Sequence, residues 1–303
     1  MKKMIQFTVF LVFVLNCSSK PENSSEDSLL LLLLAAPRST STGSGTDGVA
    51  CTSNANCASG FLCVSAFNLN QTNTTDRCKA IPTTSGSITI NGTSSSGNIL
   101  TNSPLVDFDL NVTSPGNHLI TAFTSTSTVD LVLELTNSTG TVVITKTDTN
   151  PSSSSRERLL ENLAIGSYRV RVKSFYVSGT FGGNIKVQAA NSPTLVGSGG
   201  SCNFIANGSC YDFSVGGNHN AGVCSGGTYS STNSCATVNA AASPTISGRC
   251  LFSINAATTN GQGLVTRVYY SAGTGVAAPV SNSAGSGDCN SGTIDNLGRV
   301  IFQ

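Results

Sequence analysis

Asp130-Leu-Val-Leu-Glu-Leu135 is the stretch that decides the fold: Leu131, Leu133 and Leu135 alternate with Asp130, Val132 and Glu134. A period of two throws successive side chains to opposite faces of an extended strand, so the three leucines share one face. The pattern recurs on both sides of it. Phe108, Leu110 and Val112 alternate with Asp107, Asp109 and Asn111, and Tyr168, Val170 and Val172 alternate with Arg169, Arg171 and Lys173. Ile185 and Val187 enclose Lys186. Turn-forming residues separate the runs at Ser114-Pro-Gly116, Asn137-Ser-Thr-Gly140 and Ile165-Gly166. Helical spacing shows only briefly, around 156–163. One apolar face per strand needs a second sheet to cover it, so residues 84–190 are expected to form a β-sandwich with solvated outer faces.

Cysteines organise the flanking segments. Of 11 Cys, Cys17 stands alone near the N-terminus, and the other ten fall in two even groups. One is Cys51, Cys57, Cys63 and Cys78; the other is Cys202, Cys210, Cys224, Cys235, Cys250 and Cys289. Even groups in an exported chain read as a disulfide framework. No C-x2-C pair occurs and the spacings are irregular, which argues against zinc. Residues 51–79 are too few to bury a sufficient core, so crosslinks must supply the stability of that module.

Residues 198–303 show an internal duplication. Gly200-Ser-Cys202-Asn-Phe204 aligns with Gly248-Arg-Cys250-Leu-Phe252, and Cys224-Ser-Gly-Gly-Thr228 with Cys289-Asn-Ser-Gly-Thr293. Candidate strands run over 210–215 and 265–271, and Asn207-Gly208 and Asn260-Gly261 are hairpin-turn dipeptides. Equivalent cysteines make equivalent bonds, which gives Cys202–Cys224 and Cys250–Cys289 and leaves Cys210–Cys235, with Tyr269-Tyr270 near the place of Cys210. The expected fold is mostly β throughout.

The N-terminus reads as an export signal. Lys2 and Lys3 precede an apolar run over 4–15 that ends in Val14-Leu15-Asn16-Cys17-Ser18-Ser19. The run is too short to span a bilayer, which takes about 20 apolar residues. Residues 1–16 are therefore a signal peptide, and 17–50, rich in Ser, Thr and Gly, a flexible tether spanning roughly 30 Å root-mean-square. Leu29 to Leu34 is also too short to cross a membrane and either dips into its interface or packs on a folded domain.

Charge excludes some partners. The chain is formally +1, with 16 basic and 15 acidic residues, and −1 without Lys2 and Lys3. With 10% charged residues it has no overall field to gather nucleic acid. The absence of Trp argues against a sugar-stacking platform.

Catalytic material is thin. His118 and His219 are the two histidines, expected as solvated residues of different domains. No G-x-S-x-G elbow, H-E-x-x-H helix or phosphate-cradling glycine loop appears. The chain is expected not to be an enzyme, with no cofactor and no metal. Asp107 and Asp109 share one strand face rather than forming a catalytic pair. Arg169, Arg171 and Lys173 share a face too, with Lys186 able to join them. Their guanidinium and ammonium groups could grip a polyanionic glycan or an acidic protein. The other reading is a solvated face laced with cross-strand pairs to Asp107, Asp109 or Glu134. The function classes left open are a binding or adhesion protein, a structural or assembly component of the envelope, and a hydrolase accessory.

Several stretches resemble known families. Leu15-Asn16-Cys17 with Cys17-Ser-Ser-Lys-Pro-Glu resembles the relaxed lipobox of spirochaetal lipoproteins, although Asn16 departs from the usual small residue. It implies acyl chains on Cys17, a membrane partner and an outer-membrane or cell-surface location. Cys51-Thr-Ser-Asn-Ala-Asn-Cys57-Ala-Ser-Gly-Phe-Leu-Cys63 resembles Dickkopf-type cysteine-rich modules of bacterial surface proteins, and the bonds expected there are Cys51–Cys63 and Cys57–Cys78. Asp130 to Leu135, with Asn137 and Gly140, followed by Gly166-Ser-Tyr168-Arg-Val-Arg-Val172, resembles the bacterial pre-peptidase C-terminal domain. It implies a jelly-roll-like β-sandwich of the kind appended to secreted enzymes, some of which bind matrix polymers or calcium. Residues 83–101 contain no Asp or Glu, so no calcium site is expected there. Residues 198–303 resemble cysteine-rich repeats of bacterial lipoproteins, which brings no activity with it.

Overall fold

The computed structural model describes residues 43–66, 75–100, 103–126, 129–147, 156–175, 182–195, 198–256, 261–290 and 301–303. Cys17, the signal sequence, the Leu29–Leu34 run and the tether up to residue 42 lie outside the described residues. None of the described helices is long and apolar enough to cross a membrane. The protein is mostly β, in three stapled or sandwiched parts.

The first part is a hairpin of β1 (Phe61–Val64) and β2 (Arg77–Ala80). The preceding chain is laced to it through bridges from Gly45 to Cys57 and from Ala50 to Arg77. Its interior is the bonds Cys51–Cys63 and Cys57–Cys78 themselves, with Phe61 packed against them.

The sandwich follows as β3 (Thr84–Ile88), β4 (Ser95–Ile99), β5 (Leu105–Val112), β6 (Gly116–Thr124), β7 (Leu131–Asn137), β8 (Val143–Thr147), β9 (Arg156–Leu163), β10 (Gly166–Ser174) and β11 (Gly183–Ala190). One sheet runs β3-β5-β10-β7-β8 and the other β4-β11-β6-β9. Pairing is antiparallel except between β3 and β5. Phe108, Leu110, Leu133, Val170 and Val172 of the first sheet meet Ile120, Leu159, Ile185 and Val187 of the second in one core. Gly97 marks a close approach between the sheets, because a Cβ there would come within 2.8 Å of Phe108 and Val106. The helical spacing around 156–163 is a strand, β9. Leu159 and Leu163 face the core with Glu157, while Arg156, Arg158 and Leu160 face the other way, so the apparent period came from both faces being covered.

That double cover corrects the expectation of solvated outer faces. Leu62 and Val64 of the first module pack on Leu105, on the outside of the β5 sheet. Leu119 and Ala190, on the outside of the other sheet, pack with Leu251, Leu264 and Ile301 of the C-terminal part. Both sheets therefore carry neighbours on both sides.

The C-terminal part has β12 (Ser201–Phe204), β13 (Ser209–Phe213), β14 (Asn218–His219), β15 (Thr228–Ser230), β16 (Thr245–Ala256), β17 (Gly261–Ala272) and β18 (Ile301–Phe302). Two helices accompany them, α1 (Cys235–Val238) and α2 (Asn282–Asn290). The sheet order is β15-β12-β13-β17-β16-β18, with β14 paired to β17 off this path. This order reads the same from either end. Each half is a hairpin, then a helical segment tied by a disulfide to the hairpin's first strand, then a short strand added outside. Cys202 of β12 bonds Cys224, and Cys250 of β16 bonds Cys289. A local two-fold axis passes between Tyr211 and Arg267, which are directly paired across β13 and β17. The ring contact of Phe213 with Tyr229 in one half has its counterpart in Tyr269 with Phe302 in the other. The bond Cys210–Cys235, which fastens α1 to β13, belongs to one half alone. On this axis the residue equivalent to Cys210 is Thr266, not Tyr269 or Tyr270, because β17 starts earlier than the sequence pattern suggests.

Candidate functional site

The basic stripe comes together only in part. Arg169, Arg171 and Lys173 share the outer face of β10, and each meets a carboxylate of a neighbouring strand. Arg171 donates from Nε and Nη2 to the two oxygens of Asp107, at 2.7 Å each, and from Nη2 to the Gly140 carbonyl at 3.0 Å. Arg169 lies 3.8 Å from Asp107 and 3.7 Å from Asp109. Lys173 donates to Glu134. Lys186 does not join them: it lies on the other sheet and donates to the Gly216 carbonyl at 2.8 Å. Asp107 is 0% exposed, because the first module lies over this face. Burial pushes the Asp107 carboxyl up, and the bonds from Arg171 oppose that shift. With its charges spent on one another, the stripe has little left for an external anion.

His118 is not solvated, and His219 is half-buried. His118 is fully buried on β6, with Nδ1 2.8 Å from the Gly116 carbonyl. His219 stacks on Phe213, ring centres 4.5 Å apart, and its Nδ1 lies 3.1 Å from the Tyr229 hydroxyl. Burial lowers its pKa.

Among the described residues lies a concavity that no sequence motif indicated. A cavity of about 590 Å³ opens where the chain leaving β11 passes over the C-terminal sheet. Pro193 and Leu195 of that chain form one wall, and α1 with the turn at 240–242 forms another. The floor is the sheet face carrying Asp212 of β13, Thr266, Val268 and Tyr270 of β17, and Arg249 of β16. Alternation along these strands sends Tyr211, Arg267, Tyr269 and Cys250 to the opposite face. There Arg267 lies between the Tyr211 and Tyr269 rings, at 5.3 and 5.1 Å, and holds Asp288 at 2.6 Å.

Several polar groups lie on or just beneath the floor. Asp212 accepts the Cys235 backbone N–H through Oδ1 at 2.6 Å, and burial raises its pKa. The Tyr270 hydroxyl accepts from Asn239 at 3.3 Å, which leaves its own proton to donate. Burial raises the pKa of this hydroxyl as well. Thr266 is 2% exposed, and its Oγ1 has no hydrogen-bond partner among the described residues. Arg249 is half-buried, and among the described residues it forms no ion pair, although its charge acts on both Asp212 and Tyr270. Asp212 faces Thr266 across the β13–β17 pair, and Arg249 faces Val268 across β16–β17. The two charges therefore flank the central strand, one row apart, with Cα atoms about 12 Å from each other by sheet geometry.

No protein-family model matches the chain, and no curated protein matches it. A solved structure, the pre-peptidase C-terminal domain of collagenase from Bacillus anthracis, is similar at 14% identity and a TM-score of 0.29, covering 36% of this chain and 98% of that one.

Proposed function

We propose that this chain is a lipid-anchored binding protein of the cell envelope, held outside the cytoplasm by acyl chains on Cys17, that takes a small ligand in the cavity between the chain leaving β11 and the C-terminal sheet. The observation that carries the binding role is the polar set on the cavity floor, Asp212 and Arg249 with opposite charges and the Tyr270 hydroxyl with its proton free to donate. Such groups lose water when a ligand covers them, and a ligand that bonds them in its place offsets that loss. A concave, mostly apolar site with a few convergent polar groups is the usual form of a small-molecule site. The anchor rests on the N-terminal pattern, and the five disulfides suit an oxidising compartment. The paired stripe on β10 does not support a polyanion as the ligand.

Two measurements test this reading. Cys17→Ala should abolish incorporation of labelled fatty acid and release the processed protein from the membrane. In the released protein, small molecules that raise the melting temperature should lose their effect when Ala236, exposed on the cavity rim, becomes Phe. Retention of processed Cys17→Ala protein in the membrane would refute the anchor. Thermal shifts indifferent to Ala236→Phe would refute the cavity as the binding site.

A further inference from the structure

Resting on that reading, we infer that the cavity accepts a short apolar peptide of two or three residues with both termini free, its ammonium at Asp212 and its carboxylate at Arg249.

The charges set the first condition. Asp212 and Arg249 are of opposite sign, lie on strands either side of β17, and form no direct ion pair with each other among the described residues, although the charge of Arg249 acts on Asp212. A ligand that satisfies both must carry a positive and a negative end and no net charge. A polyanion meets Arg249 but is repelled by Asp212, and a cation meets the reverse. Extended peptide advances about 3.3–3.6 Å per residue, so two or three residues fit between side chains rooted about 12 Å apart.

Hydrogen bonding sets the second. Between the charges the floor presents the Tyr270 O–H with its proton free. A peptide carbonyl can accept that proton while the chain crosses from one end to the other. A purely hydrocarbon ligand would strip water from Arg249 for nothing.

The walls set the third. Leu195, Pro193, Ile246 and Val268 make the lining mostly apolar, with Thr194, Ser198 and Ser243 between them, and the Tyr270 ring is buried. The ligand side chains are therefore mainly apolar. A volume of about 590 Å³ lies within the range that ligands larger than one amino acid occupy.

The chain contains no Trp, so a Trp-bearing probe supplies the whole indole signal. The experiment titrates the released Cys17→Ala protein into the dipeptide Leu-Trp and follows indole anisotropy. Parallel arms use Leu-Trp with both ends capped, free tryptophan and indole. Saturable binding of Leu-Trp is expected, at least tenfold weaker for the capped peptide and for indole. Arg249→Gln should weaken Leu-Trp at least fivefold and leave the capped peptide unchanged, its fold verified by its thermal transition. Equal binding of the capped and free dipeptides, or indifference of Leu-Trp to Arg249→Gln, would overturn the peptide assignment. If indole or tryptophan binds instead and Ala236→Phe blocks it, the cavity remains a binding site and only the ligand class falls. If no probe gives a signal sensitive to Ala236→Phe, both fall.

Discussion

Thr266 stands on β17 where Cys210 stands on β13, each brought onto the other by the local two-fold between the strands. The two positions have opposite fates. Cys210 is spent in the bond to Cys235, which pins α1 against the sheet and covers that half. Thr266 has neither a disulfide nor a helix of its own: beside it Leu251 and Leu264 are covered by Leu119 and Ala190 of the sandwich, and Thr266 itself lines the cavity.

The unused hydroxyl makes the unliganded protein less stable than it could be. Thr266→Val should raise unfolding free energy by about 1 kcal/mol, since it removes an unsatisfied buried group and keeps the volume. Urea unfolding measures this directly. A loss of stability would show that the hydroxyl is bonded in solution.

Arg171 and Asp107 should behave as a buried pair. Arg171→Met leaves the Asp107 carboxylate without its two-point partner and should cost about 3 kcal/mol. Asp107→Leu together with Arg171→Met should recover most of that loss, because both charges are then gone. Urea midpoints for the two singles and the double decide this, and a cost below about 1 kcal/mol for Arg171→Met would contradict a buried pair.

Face assignment on β7 and β8 gives a sharper contrast. Leu133→Asp places a charge in the core and should prevent folding of the sandwich. Glu134→Ala, one position along, should cost about 1–3 kcal/mol because Glu134 is buried and holds Lys173. Ile144→Thr on β8, 51% exposed, should change stability by no more than about 0.5 kcal/mol. Circular dichroism during thermal unfolding separates the three.

His219 predicts a pH dependence with a definite sign. Its pKa in the folded chain is depressed below the ordinary value of 6.5 by burial, so the unfolded chain takes up the proton first. Stability from this group is therefore full above about pH 7 and falls as pH drops below about 6.5. The difference in unfolding free energy between the protein and His219→Gln should narrow on acidification from pH 7.5 to 5. Other groups titrate in the same window, so the difference between the two proteins, not either curve alone, carries the prediction. A gap that widens on acidification would mean His219 is stabilised in its charged form.

Alternation in the sequence was enough to find the inner faces: Phe108, Leu133 and Val170 are all fully buried. It could not say what lies beyond the outer ones. Period-two reasoning gives the parity of a side chain, and Asp107 and Glu134 have outward parity yet sit beneath another part of the same chain. A signal for that cover was present in Leu119-Ile120 and Ala122-Phe123, where apolar residues are adjacent and so occupy both faces of β6. Leu159, Leu160 and Leu163 imitated a helix for the same reason. The cavity was less legible, because Leu195, Asp212, Arg249 and Thr266 come from separate elements and carry no motif. Its trace in the sequence was the pair Cys210 and Cys235, which the second half does not repeat.

The crosslinks of the first module also govern how the protein bears force. Tension on the chain before residue 43 enters through Cys51. From there the shortest covalent route to Cys78 runs along six residues to Cys57 and then across the bond, whose Cα atoms are 5.6 Å apart. The segment from 51 to 78 can thus lengthen to only about 27 Å, against roughly 90 Å for the same residues without bonds. A pull from that side, once the hydrogen-bonded bridges at Gly45 and Ala50 part, therefore passes through the module with little slack and reaches the sandwich at β3, paired in parallel with β5.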